Sequence, residues 1–118
     1  MTRSRLDFFV LDSLSVDVES FEQALEMLNT PEFLGWLEEH GQPFTRSEVL
    51  AALLHGIQVG DIEACVAPGD GRPVEGLGPH RVPPGPPDEA WFRLTDRGRL
   101  ALEAWDPWDI DSPQGPVV

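Results

Sequence analysis

Hydrophobic positions recur at helical spacing from the start of the chain. Leu6, Phe9, Val10 and Leu14 fall on one face and Asp7 and Asp12 lie away from it, which predicts an amphipathic helix over residues 5–15. A break at Ser15–Asp17 separates this helix from a second apolar stripe, Val18, Phe21, Leu25 and Leu28. Asp17 is the expected cap of that second helix, with Glu19 near its positive end. Thr30-Pro31 marks another start, a hydroxyl followed by proline at the position where a missing N–H costs nothing. The helix expected there turns Phe33, Leu34, Trp36 and Leu37 inward and ends at Gly41.

Thr45-Arg46-Ser47-Glu48 has the form of a capping box, with Phe44 placed to staple it. Leu50, Leu53, Leu54 and Ile57 then follow at i, i+3, i+4 and i+7, and Gly60 supplies a left-handed stop. Two alternating stretches, residues 62–66 and 90–94, predict strands. Between them residues 67–88 hold seven prolines and five glycines, too little apolar surface and too few donors for a ladder, so a long, largely disordered hairpin loop is expected. Thr95 is placed to cap a final helix through Trp105, in which Gly98 allows close approach to a neighbour. The fold class expected is α+β, mainly α with a small β-hairpin. At 118 residues the chain suits one domain, over residues 1–105, followed by an acidic, proline-containing tail at 106–118.

Charge changes the picture. Eight arginines and no lysine face 21 acids, a net charge of −13, and such a field opposes approach to nucleic acid and to anionic membranes. The expected partner is therefore a basic or neutral protein. The imbalance is greatest in residues 1–44, where two arginines meet nine acids. A single cysteine, Cys65, excludes an intramolecular disulfide and fits a reducing compartment, so a cytoplasmic location is expected. Asp7 and Asp12 interrupt the apolar N-terminal stretch, against a signal peptide, and no run approaches the ~18 apolar residues of a membrane span. The absence of Lys and Tyr, with few Asn and Ile, points to a GC-rich bacterial genome.

In order, these elements resemble a winged helix-turn-helix over roughly residues 30–105. Phe92-Arg93-Leu94-Thr95-Asp96-Arg97-Gly98-Arg99 is similar to the strand-to-helix passage that follows the wing in MarR- and PadR-like bacterial regulators. The segment from Glu48 to Val66 is similar to their recognition helix and first wing strand. The resemblance implies a DNA-reading helix at 46–59, in which Arg46 and Gln58, with Arg72 and Arg81 from the loop, would contact DNA. The outward positions on that helix, however, read Glu48, Ala51, Ala52 and His55, a surface poor in the side chains that read base edges. The expectation is a fold of this type whose phosphate-binding surface has degenerated.

Other chemistry is thinly marked. His40, His55, His80 and Cys65 lack the close spacing of zinc sites, and neither a metal nor another cofactor is expected. Cys65, in a strand, reads as a small core residue rather than a nucleophile. The acids mark no general acid/base pair, so the chain is not expected to be an enzyme. Arg81-Val82-Pro83-Pro84-Gly85-Pro86-Pro87 matches an RxxPxxP pattern suited to aromatic grooves, or serves as a stiff loop. Trp91 and Arg93 share one sheet face if Phe92 and Leu94 take the other, and Trp with Arg favours interfaces. The leading expectation is a protein–protein interaction module, a regulatory adaptor or an inhibitor of immunity type, that binds through Ala51, Ala52, His55, Trp91 and Arg93. A DNA-binding regulator is the alternative, and a dimerisation domain with no other ligand is a third.

Overall fold

Four hydroxyl side chains start the four helices found among the described residues. In the computed structural model these residues are 3–15, 18–30, 37, 40–66, 75–78, 80–83 and 85–105. Helix α1 (Arg5–Ser13) begins at Ser4, whose hydroxyl accepts from Asp7 N at 3.1 Å while Asp7 Oδ2 accepts from Ser4 N at 2.7 Å. Helix α2 (Phe21–Leu28) has the same reciprocal pair in Ser20 and Gln23. Helix α3 (Arg46–Val59) carries the capping box anticipated at Thr45 and Glu48, and ends at Gly60 with φ of 92°. Helix α4 (Asp96–Ala104) starts at Thr95, which accepts from Gly98 N at 3.1 Å. Each cap satisfies backbone donors that the first turn leaves free, worth about 1 kcal/mol apiece.

The start of α2 differs from the expectation at Asp17, which lies outside the described residues. Glu19 and Ser20 form a short strand, β1, and the helix cannot begin before it ends. β1 pairs antiparallel with β3 (Trp91–Leu94), which pairs antiparallel with β2 (Ile62–Cys65), giving a three-stranded sheet in the order β1-β3-β2. The predicted hairpin is thus present with a third strand added. Across β2 and β3 the register sets Glu63 opposite Arg93, Ala64 opposite Phe92 and Cys65 opposite Trp91.

The proline- and glycine-rich stretch is not the featureless loop expected, as far as it is described. Gly76 bridges to Cys65, Val66 N donates to Glu75 O at 2.9 Å, and Leu77 N donates to Ala64 O at 2.8 Å. Residues 75–77 thereby run along the edge of β2 that β3 leaves open. Proline-free for three positions, this stretch keeps the donors a ladder requires. Nearer β3 the chain makes a short 3-10 turn, Pro87–Glu89. The expected helix at 31–41 lies almost wholly outside the described residues, as do Arg72 and the tail with Trp108.

The core lies where α1, α2 and α3 meet the inner face of the sheet, with Phe9, Phe21, Leu53, Ile57 and Phe92 buried. Asn29, at the end of α2, holds the entry to α3 in a two-way clamp: Phe44 N donates to its Oδ1 at 2.7 Å and its Nδ2 donates to Phe44 O at 3.0 Å. Trp105, the residue that follows α4, is half-buried and stacks on Phe8 at 4.8 Å.

Helix α3 is rotated from the sequence expectation. Its buried positions are Val49, Ala52, Leu53, Gly56 and Ile57, and Leu50 and Leu54 flank them half-buried. Ala52, expected to face outward, is therefore an inward residue. One reason is steric: Gly56 lies so close to the sheet that a Cβ built on it would overlap the Ile62 side chain, 2.8 Å from Cγ1. Gly56→Ala is expected to destabilise the fold by about 1–2 kcal/mol through this overlap, although alanine is the better helix former. Adding Ile62→Val, which removes the offending methyl, should restore part of that loss in urea unfolding.

Candidate interaction surface

The side chains singled out from the sequence are held in separate places. Arg46, the arginine at the start of α3, hydrogen-bonds Glu22 of α2, approaches Asp88 Oδ2 at 3.6 Å and lies over the Phe21 ring at 4.9 Å. It joins α3 to α2 and to the turn before β3. Ala51 and Gln58 are exposed on α3, and the Gln58 carbonyl lies 2.9 Å from His80 Nδ1. His55 is half-buried, its Nδ1 3.3 Å from Asp7 Oδ1, so it ties α3 to the cap of α1. Arg81 is exposed.

Trp91 and Arg93 do share the outer face of the sheet, both half-buried, while Phe92 and Leu94 are buried beneath. They line different depressions. Arg93 donates to Glu63 Oε1 at 2.9 Å, a cross-strand pair that raises the Arg93 pKa, the hydrogen bond being the main cause. It belongs to a polar cleft of about 680 Å³ between the end of α3 and the start of α4, with Arg97, Arg99, His80, Glu63 and Asp96 around it. Arg97 comes within 3.5 Å of the Asp61 carboxylate, and Arg99 donates to the Ser15 carbonyl at 3.4 Å. Glu63 and Asp96 in the same lining oppose the three arginines and weaken the attraction the cleft holds for an anion. Trp91 instead lines an apolar groove with Cys65, Val66, Leu77, Pro83 and Pro86.

The features that sequence reasoning missed centre on Asp61. Its carboxylate is 2% exposed and is gripped by Arg3 through Nε at 2.6 Å and Nη2 at 2.9 Å. The bond raises the Arg3 pKa. Asp61 O accepts from Thr95 N at 3.0 Å, and Thr95 Oγ1 donates to Gly60 O at 2.6 Å, so the turn after α3 is fastened to the start of α4. No signal in the sequence joins Arg3 to Asp61, 58 residues apart.

His40, His55 and His80 each bridge to a different partner, His40 through Nε2 to Glu48 Oε1 at 3.1 Å while stacked on Phe44. Glu48 has its pKa lowered, first by the backbone N–H of Thr45. Among the described residues no group of three His, Cys, Asp or Glu side chains is arranged to hold a metal, and no helix is long and apolar enough to cross a membrane.

Cys65 is buried, and burial pushes its thiol up from 9.0 to about 11. At neutral pH its thiolate should be about 100-fold scarcer than that of an unperturbed cysteine. Iodoacetamide should accordingly modify the folded chain at least about 100-fold more slowly than the urea-unfolded chain. The rate in the folded state should climb with pH up to about 11.

Comparison with protein-family models, with curated proteins and with solved structures returned no match.

Proposed function

We propose that this chain is a winged-helix-like module that works by binding another protein, as a regulatory adaptor or an inhibitor, and that its partner is basic or neutral. The observation that carries the reading is the state of Arg46. In a DNA-reading helix this arginine would be free to meet phosphate or a base edge; here it is held by Glu22, Asp88 and the Phe21 ring. Releasing it would leave Glu22 and Asp88 facing the duplex. A net charge of −13 adds long-range repulsion, and the same field speeds encounter with a basic protein.

The buried, protonated thiol and the use of Asp7, Glu48, Asp61 and Glu63 in caps and ion pairs support binding rather than catalysis. Affinity capture with the tagged chain, at about 50 and 200 mM salt, is expected to return a basic partner whose yield falls at the higher salt. Fluorescence anisotropy on DNA from around its own gene supplies the opposing outcome. Tight binding with a steep salt slope would establish a DNA-reading protein and overturn the proposal.

A further inference from the structure

The proline-rich stretch that matched a docking motif is itself docked. Pro83 is buried, and with Pro86 it forms one wall of the groove whose other sides are Val66, Leu77 and Trp91. The groove holds about 260 Å³, room for one large side chain and too little for a cofactor. Three large hydrophobic residues are well exposed among the described ones, and two belong to this corner: Val66, a lining residue, at 52%, and Val82, beside Pro83, at 67%. The rim is acidic. Glu89 lines the groove and is exposed; Glu75, whose carbonyl accepts from Val66 N, is exposed as well. Neither carboxylate meets a cation among the described residues, in contrast to Glu63, Asp61 and Asp88, which do.

We propose that this groove is the docking point for the partner, and that its occupant is a short basic peptide segment presenting one aliphatic or aromatic side chain between arginines or lysines. The inference rests on the protein-binding reading above and says where the contact is made. The lining desolvates one apolar anchor against Trp91, the kind of contact on which binding energy concentrates. The Glu89 and Glu75 carboxylates then select cations beside that anchor. Charge argues against the two occupants the chain itself could offer. Its own C-terminal sequence carries Asp106, Asp109 and Asp111 with no basic residue, and a second copy brings a further −13.

The test is an NMR titration of the isotope-labelled full chain with the capped pentapeptide Arg-Lys-Leu-Arg-Lys, beside Arg-Lys-Ala-Arg-Lys and Glu-Asp-Leu-Glu-Asp. The first peptide is expected to move the amides of Val66, Leu77 and Ala90 and the Trp91 indole. Loss of the leucine should weaken binding about tenfold, and the acidic peptide should not bind. Glu75→Lys with Glu89→Lys, both on exposed positions, should weaken the first peptide by a similar factor without altering the fold. Trp91→Ala should do the same, with the unperturbed spectrum of the core confirming that the variant folds.

Shifts gathered instead on α1 and α2, with no difference between leucine and alanine peptides, would overturn the groove and leave the broader reading of a basic partner standing. Absence of any shift would overturn it too, while affinity capture judges the broader reading separately. Groove resonances that move with protein concentration, or on deletion of residues 106–118, would assign the groove to a second copy or to the chain's own tail and overturn the proposal.

Discussion

Gly98→Ala is expected to lower the stability of this protein by about 3 kcal/mol or more, although at an ordinary helix position the same exchange stabilises by up to about 1 kcal/mol. Gly98 lies in the first turn of α4, buried against the backbone of Asp61. A Cβ there would overlap the Asp61 carbonyl oxygen and come within 2.9 Å of its carbonyl carbon. At Gly56 the obstacle is the far end of a side chain, which can turn; at Gly98 it is main chain. That main chain cannot retreat, because the carbonyl is bonded to Thr95 N and the neighbouring Gly60 carbonyl to the Thr95 hydroxyl. The added methyl must therefore push α4 away from the turn and lengthen both bonds. Urea unfolding measures the effect directly, and a variant as stable as the parent would show that α4 does not approach Asp61 this closely.

Arg3→Ala should cost about 2–3 kcal/mol, well beyond the range of a surface ion pair. Removing the guanidinium leaves Asp61, 2% exposed, with only Arg97 among the described residues, at 3.5 Å, to answer it. Such a group loses its solvation on folding and regains little, which is where the cost of breaking a buried pair arises. Arg3 is itself 27% exposed, so some water reaches the site, and the figure is set below that of a fully enclosed pair. In an Asp61→Asn background the same Arg3→Ala exchange should be nearly silent, because the charge it neutralises is gone. A double-mutant cycle in urea gives the coupling. A coupling under about 0.5 kcal/mol would mean that Arg97 suffices.

Local chemistry made much of this fold legible in the sequence. The capping box at Thr45, the stop at Gly60, the strands at 62 and 91, the cap at Thr95 and the close approach at Gly98 all depend on residues within a few positions of one another. What escaped depends on distance along the chain. β1 is two residues long and gains its identity only from pairing with β3, some 70 positions later; the register sets Glu19 opposite Phe92. Shape, rather than hydrophobicity, set the facing of α3. Its leucines mark the apolar half of the helix, but Ala52 and Gly56 are buried with Leu53 and Ile57, and Gly56 meets Ile62 closely, so a pattern weighted by apolarity misses the buried line.

The candidate site was legible in the same uneven way. Alternation placed Trp91 and Arg93 on a common face. It could not show that Arg93 is spent on Glu63 or that Arg46 is spent on Glu22 and Asp88. Nor could the RxxPxxP pattern reveal that Pro83 and Pro86 line the same groove as Trp91 of their own chain.

The return of residues 75–77 along β2 also bears on how the protein behaves at high concentration. A small sheet with two bare borders is a template on which further chains can assemble, and a chain enriched in valine and aromatic residues near such a border is prone to fibril growth. Here one border is occupied by the chain's own backbone. The other is a strand of two residues, Glu19 and Ser20, the first of them charged. Concentrated stocks should accordingly stay free of thioflavin-positive material for as long as those three residues hold their place.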